Sequence, residues 1–357
     1  MRTYFFIPLL LAALGRLLFL DADPGIIKSL LGNATDANDE AYWALAARNL
    51  FSYGQLITNN FSHVVVSPFY TMATYLAYTL FDLSLFSTRF PNAIAGVLSV
   101  WLLYQIVKTY DLRGAFVAAL ILAVENVYFT YTRIGHPEVM CSFFILLSFY
   151  FLIVHKRAFL AGLAFGLSVA SKIVAVWAFP TFVLFLLCQL VRRELSRKNI
   201  YSFGIGLSIV GLCNILFVIP YLDIFVNNFS LPGRSGPLLL SQPHRVIPDF
   251  FLSLYTSFPS VGLLLLFLGV YLSRVRAICL FNRDQFKNTL KHLNSADIMA
   301  LAWIIGLTLS MMLLSDVHHR RMSLFTIPLS MVPGLLMRFD SQKAAGVFQA
   351  PIKYSTF

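Results

Sequence analysis

The sequence predicts an all-α polytopic membrane protein, a bundle of about ten transmembrane helices with juxtamembrane amphipathic helices in its first outer loop. Three observations carry that prediction. Of the 357 residues, 58% are hydrophobic and 12% are charged, whereas soluble domains carry about 25% charged residues. The apolar residues come in long continuous runs, not in the period-two alternation of a transmembrane barrel. The formal charge of +11 is unevenly distributed, as expected where cytoplasmic loops collect Lys and Arg. The charge therefore reads as topology, and no nucleic-acid partner is expected. Cys141, Cys188, Cys213 and Cys279 lie far apart without CxxC or zinc-type spacing, so they indicate neither a disulfide nor a metal centre.

A span needs about 20 apolar residues. The candidate runs are 4–20, 90–107, 115–131, 139–154, 158–171, 173–191, 201–221, 250–273, 298–315 and 323–337. The first follows Arg2 and contains Arg16. A signal peptide shares that outline, but no small-x-small cleavage site follows, and the run reads as a retained span. The fifth is short and joins the sixth through Ser171-Lys172.

A further apolar stretch, 64–86, reads as an interfacial or re-entrant helix. Ser67-Pro68 stands near its start and Asp82 lies within it. Counting it as a crossing would scatter the basic loops over both sides. Leaving it on the outer face, with the N-terminus inside, gathers Arg2, Lys108, Arg113, Lys156, Arg157, Arg192, Arg193, Arg197, Lys198, Arg274, Arg276, Arg283, Lys287, Lys291, Arg338, Lys343 and Lys353 on the inner side, as the positive-inside rule requires. The chain then forms one domain, 1–357, with outer loops at 21–89 and 222–249. The second loop is turn-rich around Pro232-Gly233.

This orientation sorts the polar residues. Asp39, Glu40, Arg133, His136, Glu138, Lys172, His318, His319, Arg320 and Arg321 fall on the outer face, where a site is expected. Asp39 and Glu40 open a helix from about residue 36, whose apolar side is Tyr42, Trp43, Leu45, Ala46 and Leu50. The helix macrodipole alone favours acids in a first turn. A carboxylate held there also suits a general base. Arg133, His136 and Glu138 share the short turn 131–138, read either as an interfacial anchor before a Pro helix start or as a second carboxylate facing the first. Lys172 stands at the break between two apolar helices. A lysine there must snorkel or pair, and a phosphate is a natural partner. His318 to Arg321 run against the positive-inside trend and invite an anion, since Arg pairs with phosphate bidentately. Glu125, inside the third span, is either a functional residue or an ion-pair partner for Arg16.

In order and spacing, these pieces resemble the GT-C glycosyltransferases that use polyprenyl-phosphate sugars. The nearest branch is that of bacterial aminoarabinose transferases and protein O-mannosyltransferases. The residues that carry the resemblance are the helix 39–50 followed by Tyr53-Gly54, Ser67-Pro68-Phe69-Tyr70, Arg89-Phe90-Pro91-Asn92-Ala93, Tyr131-Thr132-Arg133 with Pro137-Glu138, and the run 161–167 leading to Lys172. His319-Arg320-Arg321 with Pro328 is a looser match. The resemblance covers roughly 1–190 well and the rest by layout. It departs where Ser67 replaces a second Pro, Glu138 replaces Asp, and Met322 stands near an expected Tyr.

The resemblance implies an inverting transfer of a hexose or pentose from a polyprenyl-phosphate donor to a lipid, glycan or protein hydroxyl. The site would face outward from a bacterial inner membrane. Asp39 would be the general base, with Glu40 and Glu138 orienting the acceptor or holding a divalent ion. Lys172, Arg133, Arg320 and Arg321 would hold the donor phosphate, and His136 and His319 would serve the acceptor or a metal. Some members of the family bind a metal and others do not, so no cofactor is fixed. The rival classes are a transporter or lipid flippase with an anion-binding outer cavity, which would put polar residues at midspan, and a non-catalytic membrane assembly factor.

Overall fold

The computed structural model describes residues 6–22, 35–57, 62–230, 260–278, 293–314 and 319–344, and every described element is helical. For residues 35–39, 228–230, 260–263, 274–278, 311–314, 319–323 and 338–344 the backbone alone is described. In chain order the α-helices are α1 Phe6–Leu17, α2 Thr35–Tyr53, α3 Pro68–Phe81, α4 Leu85–Lys108, α5 Leu112–Val124, α6 Asn126–Thr132, α7 Pro137–Ile153, α8 Ala158–Ser171, α9 Phe179–Val191, α10 Arg197–Val218, α11 Leu222–Ser230, α12 Ser260–Ile278, α13 Ser295–Leu314 and α14 His319–Ala344. Short 3-10 segments at His63–Val65, Ile173–Ala178 and Ile219–Tyr221 join them.

Among the described residues, each of the ten apolar runs contains helix. Leu85–Lys108, Ile173–Val191 and Arg197–Asn227 are long and apolar enough to cross a membrane as single rods, and the bent pair Leu112–Val124 with Asn126–Thr132 makes a fourth. The others are shorter apolar helices. Residues 250–259, the start of the expected eighth span, lie outside the described residues. The expected third span is split, with a 59° bend at Glu125. A break inside a membrane must satisfy its own backbone groups. Arg16 of α1 does half of this by donating to Ala123 O (2.9 Å) and Leu122 O (3.2 Å) at the end of α5. Glu125 does the other half by accepting from Val127 N (3.0 Å) and Tyr128 N (2.6 Å) at the start of α6. The two residues thus meet as caps on either side of one break.

The stretch 64–86 is not one continuous helix: its helix, α3, has 14 residues. It ends at Asp82, whose φ of 63° is left-handed. A serine cap then restarts the chain: Ser84 Oγ accepts from Ser87 N (3.1 Å), and Ser87 Oγ accepts from Ser84 N (3.0 Å). α2 and α3 pack on each other, α3 also touches α4 and α8, and the 63–65 turn contacts α2. On α2 the buried positions include Trp43, Ala44, Ala46 and Ala47, while Tyr42 is exposed. The buried face is therefore rotated from the expected one toward Glu40 and Trp43.

In a bilayer, helices associate through close packing rather than through hydrophobic transfer. The main contacts follow small residues. α8 and α10 meet at Gly162, where an added Cβ would stand 2.0 Å from Phe203 O, and at Gly206, 2.3 Å from Phe159 O. α5 and α14 meet at Gly114 and Gly334, each with its neighbour's carbonyl 2.3 Å from an added Cβ. Behind these seams Phe149, Phe182, Phe185 and Trp303 form an aromatic core, with Phe149 and Phe182 stacked at 4.5 Å.

Gly162→Val should push α8 from α10 and destabilise the protein by about 1–3 kcal/mol. The measurement is the thermal midpoint in detergent. Gly204→Ala, with open space around the added Cβ, should leave that midpoint in place.

Candidate active site

Four separate segments converge at one end of the bundle, and Lys172 is the point on which they meet. α8 ends at Ser171, and Lys172 adopts an extended backbone (φ −163°, ψ 133°) before the 3-10 segment begins. The break is held by Ile173 N donating to Val66 O (2.9 Å). Leaving the helix aims the Lys172 side chain at α7, where its ammonium pairs with Glu138 Oε1. The ammonium also stands 4.1 Å from the centre of the Trp43 ring on α2. Trp43 in turn stacks on His63 at 4.5 Å and 27°. A cation buried this far depends on such partners: charge pairing and the aromatic face replace its lost water. Glu138 is fully buried. Pro137 starts α7 and puts Glu138 in its first turn, where the helix dipole favours a carboxylate. His136 Nδ1 lies 3.9 Å from Glu138 Oε2.

A second ion pair fixes the frame around the first. Arg89, one turn into α4, forks onto Glu40 with Nε–Oε1 at 2.8 Å and Nη2–Oε2 at 2.9 Å. Gly135 N adds a third bond to Oε1 at 2.8 Å. The remaining Arg89 nitrogen, Nη1, donates to Leu20 O (3.1 Å) and Ala22 O (2.9 Å) just after α1. Three residues further along α4, Asn92 Nδ2 donates to Ile134 O (2.7 Å) and His136 O (2.6 Å). The turn that delivers Glu138 is thereby clamped to α2 and α4. Gly135 is required there, because an added Cβ would stand 2.9 Å from Glu40. Tyr70 of α3 is wholly buried beside this frame. Burial, and then the Glu40 charge, push its hydroxyl well above the usual tyrosine range.

Several expected site residues land elsewhere. Glu40, expected among the catalytic carboxylates, is a buried anchor with both oxygens engaged by Arg89. Arg133, expected on the donor phosphate, caps α1 by donating to Gly15 O, Leu18 O (2.9 Å) and Phe19 O (2.7 Å). The reason is local: the last carbonyls of a helix have no partner within it, and the turn brings a guanidinium to them. His136 is fully buried as the residue before α7. The backbone of Asp39 belongs to α2 one helical turn before Trp43, so its Cα lies on the Trp43 stripe. Its side chain lies outside the described residues, as do the side chains of His319, Arg320 and Arg321 and the whole of His318. α14 packs along α6 and meets Gly114, at the start of α5, only with Gly334 late in its length. Its N-terminal turn, 319–321, therefore points to the α6 end of the bundle, where the 133–138 turn lies. Among the described residues no three His, Cys, Asp or Glu side chains converge as a metal site.

Arg89, Asn92, Trp43, Tyr70 and His63 were not singled out for chemistry in the sequence. The signal for Arg89 and Asn92 was present: a cation and an amide at i and i+3 on one face of an apolar helix.

A family model described as dolichyl-phosphate-mannose-protein mannosyltransferase matches residues 62–217. That segment holds α3 to α10 and both Glu138 and Lys172. The chain is similar over its whole length to two solved membrane proteins. ArnT from Cupriavidus metallidurans, in a structure bound to undecaprenyl phosphate, superposes with a TM-score of 0.60 at 16% identity, over 97% of this chain and 61% of that one. The oligosaccharyltransferase of Archaeoglobus fulgidus superposes with a TM-score of 0.59 at 15% identity, over 98% of this chain and 51% of that one. The chain shares the fold of these two proteins. Sequence relatives match in part: an uncharacterized protein of Aquifex aeolicus is 28% identical over 182 residues, 48% of this chain and 36% of that protein. The putative mannosyltransferase YycA of Bacillus subtilis is 32% identical over 139 residues, 36% of this chain and 20% of that protein. The chain thus spans well under two thirds of each of these relatives. Within this shared fold, the paired Lys172 and Glu138 sit in the segment that the family model covers.

Arg89→Met should leave Glu40 buried and unpaired, at a cost of about 3–5 kcal/mol. Adding Glu40→Gln should recover much of that loss. Thermal unfolding of the single and double variants in detergent measures both.

Proposed function

We propose that this chain moves a sugar from a polyprenyl-phosphate carrier to an acceptor hydroxyl at the membrane surface. The observation that carries the reading is the buried Lys172 ammonium, paired with Glu138 at a helix break whose next residue lines an apolar groove. Ile173, the next residue, lines that groove together with Val169, Leu207, Ile215, Ile219 and Phe225, in a cavity of about 410 Å³. A buried cation on the residue next to one that lines an apolar groove suits a ligand with a phosphate head and an isoprenoid tail. The undecaprenyl phosphate named with ArnT and the dolichyl-phosphate-mannose in the family description are ligands of that kind.

In this reading the phosphate takes Lys172 from Glu138, and Arg320 and Arg321 at the start of α14 add further cations. Asp39 takes the proton from the acceptor hydroxyl, whose oxygen attacks the anomeric carbon. The anomeric carbon–oxygen bond breaks, the lipid phosphate leaves with the electron pair, and the configuration inverts. Cations aimed at the leaving oxygen stabilise the charge that develops there. Glu40 and Arg89 act by holding the 133–138 turn in place. The residues that would serve a divalent ion are Glu138 and His136, with Asp39 and His319 as the candidates whose side chains are not described.

The reading extends to topology: ten crossings, N-terminus inside, and the site on the outer face of a bacterial plasma membrane. The arrangement of charge favours an enzyme over a transporter. The span broken at Glu125 is capped on both sides by Arg16 and Glu125, while Lys172, Glu138, Glu40 and Arg89 gather at one end.

Asp39→Asn should lower sugar transfer from a polyprenyl-phosphate-mannose donor by about 10²–10⁴-fold while donor binding persists. Lys172→Ala should lose donor binding itself. Radiolabelled transfer and equilibrium binding to the purified protein in nanodiscs separate the two, and wild-type turnover in Asp39→Asn would remove the base assignment. For topology, a reporter inserted at Ser235 should face outward and one fused after Phe357 inward, read by impermeant labelling of intact cells.

A further inference from the structure

The buried side chains of α3 are Tyr70, Thr71, Thr74, Ala77 and Tyr78, and all but Ala77 carry a hydroxyl. Most of these hydroxyls are held within the protein. Thr71 Oγ1 donates to Ser67 O (3.0 Å), and Thr74 Oγ1 donates to Tyr70 O (3.0 Å). The Tyr78 hydroxyl shares a 2.8 Å bond with Thr88 Oγ1. Tyr70 is different: its hydroxyl is wholly buried and has no hydrogen-bond partner among the described residues. Thr74 Oγ1 influences it from one turn away, but the Thr74 proton is already on the Tyr70 carbonyl. We infer that the Tyr70 hydroxyl is a hydrogen-bond donor to the ligand phosphate that Lys172 takes up. The inference rests on the transfer reading above and deepens it, because it adds a neutral donor to the cations at that head group.

Position is the first argument. Tyr70 packs in one apolar cluster with Trp43 of α2 and Met140 of α7. The Trp43 ring carries the Lys172 ammonium at 4.1 Å, and Met140 stands two residues after Glu138 on α7. Tyr70 is therefore built into the wall that holds the Lys172–Glu138 pair. Glu138, the carboxylate that a phosphate would replace on Lys172, is among the charges that act on the Tyr70 hydroxyl.

Chemistry is the second argument. A buried hydroxyl without a partner costs stability, because it has given up water and gained nothing. The carboxylate that acts on it most, Glu40, does not satisfy it: Arg89 and Gly135 N engage both Glu40 oxygens. Burial first, then the Glu40 charge and, more weakly, Tyr78 and Glu138, push the hydroxyl well above the usual tyrosine range. Tyr70 therefore keeps its proton and can donate it in a hydrogen bond. A phosphate oxygen is an acceptor that fits, since hydrogen bonds to charged groups are the stronger kind.

The test compares Tyr70→Phe with Tyr78→Phe in the full chain in nanodiscs. Undecaprenyl phosphate, undecaprenol and inorganic phosphate are the probes, read by equilibrium binding, and the thermal midpoint is read without ligand. Tyr70→Phe should keep or raise the midpoint, because it removes a hydroxyl that bonds to nothing. Tyr78→Phe should lower it, because Thr88 loses its partner. Tyr70→Phe should weaken undecaprenyl phosphate on the order of tenfold and leave undecaprenol, which has no phosphate, unchanged. Equal affinity for undecaprenyl phosphate in wild type and Tyr70→Phe would overturn the inference and leave the transfer reading standing. A midpoint lowered as in Tyr78→Phe would also overturn it, by showing that the hydroxyl is bonded within the protein. Inorganic phosphate bound as tightly as undecaprenyl phosphate would make the ligand a free anion and remove the assignment to a lipid head. A wild type that binds no undecaprenyl phosphate would remove the transfer reading and this inference with it.

Discussion

The fork between Arg89 and Glu40 is the interaction on which the rest of this end of the molecule depends. It joins α2 to α4, and through Gly135 N and the two carbonyls after α1 it reaches two further segments. A carboxylate and a guanidinium this deeply buried are stable only as a saturated set, because each has given up its water. Every Arg89 nitrogen and both Glu40 oxygens have partners. The geometry is bidentate, which a lysine in place of Arg89 would not reproduce. The fork therefore sets the register of α2 on α4, and with it the distance from Trp43 to Lys172.

The same rule governs the other buried charges. Arg16 and Glu125 complete the backbone of a broken span, Arg133 completes the end of α1, and Lys172 has Glu138 and Trp43. Arg16, Arg133 and Lys172 are held by groups brought from a distant part of the chain, and Glu125 by the backbone two and three residues on. Lys172 differs from the others in one respect. Its partners are a side-chain carboxylate and an aromatic ring rather than backbone carbonyls. A phosphate can replace a carboxylate on an ammonium, whereas nothing in a ligand replaces the carbonyls that hold Arg16 or Arg133. That difference separates a site from a scaffold among residues of the same type.

The helices were legible in the sequence to within a few residues, because burial in lipid demands long apolar runs and forbids unsatisfied backbone. The convergence of Glu138 and Lys172 was legible as a shared face, though not as a pair. The partner of Glu40 was not legible: an acid beside another acid in a first turn looks the same whether it faces a substrate or an arginine 49 positions away. Arg133 misled for the same reason, since nothing near it in sequence announces the open carbonyls of α1. The break at Glu125 was hidden because the run 115–131 is apolar on both sides of it, and hydropathy does not register a bend.

By itself the sequence determined that this chain is a helical membrane bundle and where most of its described helices lie, because apolar length, prolines, caps and loop charge are local properties. Only the tertiary structure decided which charges are spent on each other and which are available to a ligand. Pairing is a contact between remote segments, and in a medium that cannot solvate a charge the partner a residue finds fixes its role.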